Sequence, residues 1–261
     1  MIEIKGLTKS FEDKPVLQGV DLTIGTGESI VIIGRSGCGK SVLLKLLIGL
    51  LTPDSGQIII DGSDITSLKE SELYKVRHKF GVLFQGAALF DSMTVRENVS
   101  LGLTEHTDLS PDRIAEISDE KLRQVGLPDI QDLKPAELSG GMKKRVGLAR
   151  AIAMNPQYVL YDEPTTGLDP IMADIINELV IRLNDELDVT TIAVTHDMVS
   201  AYKVADRIVM LHRGVILFDG TPEEVKNTDN EVVRQFIEGR AEGPIKPVPI
   251  GGVSLGNHRS G

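Results

Sequence analysis

The chain has 261 residues, a formal net charge of -10 and a single cysteine, Cys38. The length allows a sizeable core in one large domain, and the acidic balance speaks against a protein whose main task is holding nucleic acid. A lone cysteine excludes an internal disulfide framework and fits a reducing compartment. The opening Met1-Ile2-Glu3-Ile4-Lys5 goes straight into an alternating pattern, so no secretory leader is expected. The longest apolar run, 42–51, is broken by Lys45 and reaches about half the length of a bilayer span. The chain is therefore expected to be soluble by itself, with any role at a membrane coming through a partner.

Residues 2–7 and 20–24 alternate like half-exposed strands joined by a polar turn around Glu12-Asp13-Lys14-Pro15. Phe11 stands alone at the start of that turn. Two readings are open for it: a core aromatic, or a ring on which an adenine stacks, a contact worth about 1 to 3 kcal/mol by analogy with base stacking elsewhere. Next comes the apolar strand 29–33, then Gly34-Arg35-Ser36-Gly37-Cys38-Gly39-Lys40-Ser41, then a helical run opened by Val42. A strand feeding a helix through a glycine-rich turn aims backbone N–H groups at one small volume, and the helix N-terminus adds about half a positive charge there. The spacing Gly-x4-Gly-Lys-Ser fits a phosphate-binding loop, so Lys40 is expected to reach the β- and γ-phosphates of ATP and Ser41 to hold Mg²⁺. Cys38 inside this loop reads as a tolerated filler or as a redox switch.

Pro53-Asp54-Ser55-Gly56 marks a turn before a strand over 57–62, and a charged helix over 69–79 leads to a strand over 80–85 ending on Gln85. A glutamine carbonyl at a strand end can touch the Mg²⁺ shell; the plain alternative is a strand cap. From Met93 to about Glu137 the pattern turns helical, with Val95, Val99 and Leu103 at four-residue steps and a sound helix start at Ser110-Pro111-Asp112. This predicts a helical lobe inserted between two halves of an α/β core. Leu138-Ser139-Gly140-Gly141-Met142 then opens a helix with Val146, Ala149 and Ala153 on the face of Met142 and basic residues elsewhere. Ser139, Gly140 and Gly141 read either as a plain cap or as a second anion site. One nucleotide cannot fill two distant sites of one chain, so the second reading asks for a second subunit.

The strand 158–163 ends in Asp162-Glu163, and neighbouring strand residues point to opposite faces. Asp162 suits the Mg²⁺ shell and Glu163 is then free to polarise a water for attack on the γ-phosphate, at the strand edge where α/β sheets place ligands. Asp169 precedes Pro170 and a helix over 171–186, which a cap alone would explain. The strand 190–197 carries His196, either a group reaching the γ-phosphate or an ordinary surface histidine. His78, His106, His212 and His258 show no ligand spacing. A hairpin around Arg213-Gly214 and helices from Thr221 and Asn230 follow, and beyond Gly239 a Gly- and Pro-rich tail is expected to be free or draped over a partner.

In this order the motifs resemble those of the ATP-binding subunits of ABC transporters, over residues 2–239. The resemblance implies an α/β fold, a P-loop NTPase core of ABC-ATPase type with an antiparallel β lobe and a helical lobe at roughly 93–153, with 240–261 as tail. It implies an adenine-stacking Phe11, a phosphate loop over 34–41, Gln85 in the loop facing the membrane subunit, and Ser139-Gly140-Gly141 as the family's signature. It also implies metal-binding Asp162, catalytic Glu163, Asp169 in the dimer-contact loop and His196 as switch histidine. Two copies would sandwich two ATPs head to tail, each held by the phosphate loop of one chain and the signature of the other. One departure stands out: Met142 takes the place of the usual signature glutamine, which removes a side-chain contact.

Met142, the stretch 84–91 and the segment 236–244 resemble the branch that powers MCE-type lipid transporters, such as the Mla phospholipid system and the toluene-tolerance transporters of Gram-negative envelopes. That implies a peripheral subunit on the cytoplasmic face of the inner membrane, with an integral permease and an MCE lipid-binding subunit as partners and no nucleic acid. A small STAS-domain subunit is left open. The rivals are a soluble ABC ATPase acting on DNA or ribosomes and an importer motor for a small polar solute.

Overall fold

The computed structural model describes residues 1–12 and 14–246. The chain builds, in order, β1 (Ile2–Phe11), β2 (Lys14–Ile24), β3 (Ser29–Ile33), α1 (Lys40–Leu47), β4 (Ser55–Ile60), β5 (Ser63–Asp64), α2 (Glu70–Arg77) and β6 (Phe80–Leu83). Three helices follow before the sheet resumes: α3 (Val95–His106), α4 (Pro111–Gln124) and α5 (Gly140–Ile152). The second half runs β7 (Tyr158–Asp162), α6 (Pro170–Leu187), β8 (Thr190–Thr195), α7 (Met198–Val204), β9 (Arg207–His212), β10 (Val215–Gly220), α8 (Pro222–Lys226) and α9 (Glu231–Ile237).

These strands form two sheets. The smaller is antiparallel, ordered β2-β1-β4-β5; the larger is ordered β10-β9-β3-β8-β7-β6. In the larger sheet β9, β3, β8, β7 and β6 are parallel and only β10 pairs antiparallel. Alternation along β3 divides the core. Ile30 and Ile32 pack with the small sheet and α1, while Val31 and Ile33 pack with the helices on the other face. A strand covered on both faces has no polar side to show, which is why it is apolar from Ile30 to Ile33.

The helices between β6 and β7 begin on side-chain caps, Thr94, Ser110 and Ser139, each accepting from a backbone N–H of its own first turn. Val95, Val99 and Leu103 bury the predicted stripe against α4 and α5. Most boundaries fall within two residues of the sequence expectation, but β1 and β2 run on into the hairpin. Register shifts between Ile4 and Leu7 and between Lys9 and Ser10 break the alternation there, so the pattern ends before the strands do. The segment after α9 folds back: buried Gln235 accepts from Ile245 N at 2.6 Å and donates to the carbonyls of Arg240 and Ile245. The rest of the predicted tail, 247–261, lies outside the described residues.

Candidate active site

Because β3, β6, β7 and β8 are parallel, their carboxyl ends share one edge, the usual position of a ligand crevice in such sheets. β3 delivers the loop 34–41 to it. Gly39 is the cap residue of α1, at φ 110 and without a side-chain cap bond. A Cβ there would lie 2.8 Å from Leu17 Cδ2, so only glycine fits. The first N–H groups of α1 are therefore presented bare, which suits an anion.

Lys40 is only 6% exposed, and its Nζ donates to the carbonyls of Gly34 at 2.7 Å and Arg35 at 3.2 Å. The same ammonium is 3.8 Å from Glu163 Oε1. Ser41 Oγ donates to Asp162 Oδ1 at 3.0 Å, joining residues 121 positions apart. Hydroxyl and carboxylate oxygens form a hard donor set of the kind Mg²⁺ takes alongside phosphate oxygens. Burial pushes the Asp162 carboxyl above its usual range, against the Ser41 hydroxyl that holds it down. Burial likewise pushes the Cys38 thiol up, despite Lys40 nearby, which keeps it from thiolate reactivity.

Glu163 is placed differently from the strand-end expectation. β7 stops at Asp162, and Glu163 has the left-handed φ of 51, with its N–H donating to Val194 O at 2.9 Å. The two acids are thus separated by a backbone turn at Glu163 and not by strand alternation. Such a conformation is uncommon for a residue with a side chain and concentrates at functional sites. Glu163 is 8% exposed; its Oε2 lies 2.8 Å from His196 Nδ1 and accepts from Thr166 Oγ1 at 3.0 Å. The His196 side chain is 58% exposed, so one face of that pair is open to solvent.

A cleft of about 580 Å³ runs along this edge. Arg35, Ser36, Gly37, Gly39, Lys40, Ser41 and Val42 line it from the loop, and Gln85, Glu163 and His196 from the other strand ends. Phe11 closes one wall. It is 42% exposed, with Lys9 Nζ 5.6 Å from its ring centroid, so the core reading of this aromatic is overturned. β1 runs to the hairpin tip and leaves Phe11 beyond the buried alternation. Gly34 and Cys38 back the loop without lining the cleft. β6 ends at Leu83, two residues before Gln85, which reaches the cleft from a loop and makes no described contact with Ser41 or Asp162.

Ser139, Gly140, Gly141 and Asp169 are not brought to this cleft. Ser139 Oγ caps α5, accepting from Met142 N at 3.2 Å, and Asp169 Oδ1 caps α6 through Ile171 N and Met172 N, each at 3.1 Å. Two cleft residues are not assigned there by the sequence: Val16, which nothing local marks, and Phe236, which it marks only as the start of the segment 236–244. A third miss matters more. Lys144, one of the basic residues off the face of Met142 and given no role by the sequence, is 5% exposed, and its Nζ donates to the carbonyls of Gln85 and, at 3.1 Å, Glu163. Burial lowers its pKa while Asp162 and Glu163 pull the other way. His78 and His106 pack with Tyr74 in tilted and edge-on contacts away from the cleft, and among the described residues no three His, Cys, Asp or Glu side chains form a metal cluster. No helix among them is long and apolar enough to cross a membrane.

A family model described as ABC transporter matches residues 17–166. The "Probable ribonucleotide transport ATP-binding protein mkl" of Mycobacterium tuberculosis is 47% identical over 244 residues, 94% of this chain and 68% of that one. The "Intermembrane phospholipid transport system ATP-binding protein MlaF" of Haemophilus influenzae is 40% identical over 246 residues, 94% of this chain and 93% of that one. Among solved structures, the dimeric post-hydrolysis state of the ATP-binding cassette MJ0796 with ADP and Pi superposes with TM-score 0.79. It is 34% identical, covering 85% of this chain and 99% of that one.

Proposed function

The chain belongs to the ABC transporter ATP-binding family, an ATPase fold whose hydrolysis drives transport, and from that premise we propose that it powers phospholipid movement between the two membranes of a Gram-negative envelope. It acts as a peripheral subunit on the cytoplasmic face of the inner membrane, bound to an integral permease and working with an MCE lipid-binding subunit. The cargo follows the relative named for intermembrane phospholipid transport, which matches nearly end to end.

The observation that carries the chemistry is the convergence of Lys40, Glu163 and His196 on one cleft, with Glu163 Oε2 2.8 Å from His196 Nδ1 and Oε1 3.8 Å from Lys40 Nζ. Glu163 takes or orients the proton of the attacking water, a contribution worth about 10²- to 10⁴-fold. His196 holds that carboxylate and faces the γ-phosphate. Lys40 and the bare amides of α1 bind the phosphates by charge-assisted hydrogen bonds, and Phe11 stacks on the base. Ser41 and Asp162, with Gln85 at the rim, would hold Mg²⁺, whose charge offsets that of the phosphates. Ser139, Gly140, Gly141 and the Asp169 loop act on the cleft of a second copy, since nothing in their own chain brings them to it. Closure and reopening of that dimer pass to the permease through the loop after Gln85.

Purification of the membrane complex through a tagged full chain, with identification of its subunits and bound small molecules, tests this. Phospholipid and an MCE subunit are expected. Ribonucleotide or another small solute, with a solute-binding protein in place of the MCE subunit, would overturn the lipid cargo. No permease, and hydrolysis stimulated by nucleic acid, would overturn the transport role.

A further inference from the structure

We propose that Lys144 is a positioning residue for hydrolysis: its ammonium ties the backbone of Glu163 to the loop after Gln85, so that this loop and the catalytic acid move together. The inference rests on the assignment of Glu163 as the base.

Three residues on one face of α5, at steps of three, grip the start of that loop. Arg150 donates to Ala88 O at 2.7 Å and to Ala87 O at 2.6 Å. These two alanines hold left-handed φ values of 61 and 47, which strain an alanine unless its surroundings fix them. At Gly147 a Cβ would lie 2.7 Å from Leu83 Cδ1 and 3.2 Å from Ala87 Cβ, so the helix packs closely against the end of β6 and the start of the loop. Lys144 completes the row, donating to Gln85 O and to Glu163 O. From the other side, buried Asn98 of α3 accepts from Phe90 N at 2.8 Å and donates to the carbonyls of Phe90, Met93 and Thr94. The loop is thus bolted at both ends to the helical lobe, and of these four residues Lys144 is the one that also hydrogen-bonds Glu163, just after β7.

A neutral amide could donate to the same two carbonyls. A buried ammonium is costly to desolvate, and its retention here follows from what faces it, the carboxylates of Asp162 and Glu163. The charge offsets part of their mutual repulsion and fixes the backbone turn from which Glu163 reaches its base position. Since α5 also carries Ser139 at its N-terminus, a displacement of the loop reaches the acid and the Ser139 corner through one rigid helix.

The test uses the full chain in its membrane complex, with Lys144→Met, Lys144→Gln and Lys144→Arg made alone and combined with Glu163→Gln. Lys144→Met is expected to lower kcat about 10- to 100-fold by misplacing the acid, with the KM for ATP within about twofold of wild type. Lys144→Arg should recover most of the rate and Lys144→Gln only part. In the Glu163→Gln background Lys144→Met should cost nothing further. Equal losses in both backgrounds, or a raised KM at unchanged kcat, would overturn the role. If Lys144→Met does not assemble, Lys144→Gln supplies the same comparison. Wild-type kcat in Lys144→Met beside an inert Glu163→Gln overturns this inference alone; wild-type turnover by Glu163→Gln overturns the base assignment and this inference with it.

Discussion

The carboxyl edge of the parallel strands and the N-terminus of α5 both present backbone N–H groups, yet they are finished to different degrees. At the strand edge one chain supplies amides, the Lys40 ammonium, the hydrogen-bonded Ser41–Asp162 pair and the close Glu163–His196 pair around one cleft. At α5, Ser139 and Gly140 are exposed and the serine does no more than cap its own helix. A phosphate at the second place would meet donors but neither a base nor a metal ligand. The contrast teaches that one region holds the parts of a binding and reacting site within a single chain, whereas the other, on the function proposed above, completes a site on a second copy.

The largest expected effect is at the acid. Glu163→Gln should lower turnover about 10²- to 10⁴-fold, leave ATP binding in place and accumulate ATP-bound dimer; steady-state hydrolysis and size-exclusion chromatography read both, and a wild-type rate sinks the assignment. Next is the cation. Lys40→Ala removes charge-assisted hydrogen bonds worth about 1.5 to 3 kcal/mol, so ATP affinity measured by calorimetry should fall about 10- to 100-fold.

The α5 corner should behave differently. Ser139→Glu puts a carboxylate at a helix N-terminus, where the helix tolerates it but a phosphate does not. ATP binding by a single copy should stay within about twofold, because Ser139 is off the cleft of its own chain, while turnover collapses. Mixing inert Lys40→Ala copies with inert Ser139→Glu copies should then restore hydrolysis, since each mixed pair regains one whole site. Mixed pairs confirmed by crosslinking but still inert would break the comparison between the two regions.

The smallest effect lies in the small sheet, away from both. Burial raises the Asp61 carboxyl, but hydrogen bonds from Lys79, Tyr158 and the amino terminus outweigh it and bring it down to about 2, from an ordinary 3.8. A carboxylate with a depressed folded-state pKa stabilises fully above 3.8 and loses that contribution as pH falls through about 2. The melting temperature of Asp61→Asn should therefore approach that of the wild type as pH drops across this window. A gap that stays constant would show that Asp61 acts without its charge.

Much of this site is legible in the sequence alone. The phosphate loop, the Asp162-Glu163 pair and His196 were found because a strand, a turn and a helix start leave their marks in adjacent residues. Phe11 could be assigned to the core or to the cleft only once the hairpin register was known, for the bulges in β1 are set by its partner strand. Lys144 receives no role from the sequence, because periodicity sets it only off the face of Met142, and the carbonyls that accept its hydrogen bonds come from positions 59 and 19 residues away.

The sequence by itself determined which segments are strands and helices, where the glycine-rich turn stands, and which residues have the chemistry for phosphate, metal and water, because all of these depend on neighbours along the chain. Only the tertiary structure decided that Glu163 leaves β7 through a left-handed turn, that Ser41 meets Asp162, that Phe11 faces the cleft and that an ammonium is buried behind the acid. Burial and the pairing of charges are properties of packed surfaces, and those surfaces come from parts of the chain too far apart for any local pattern to record.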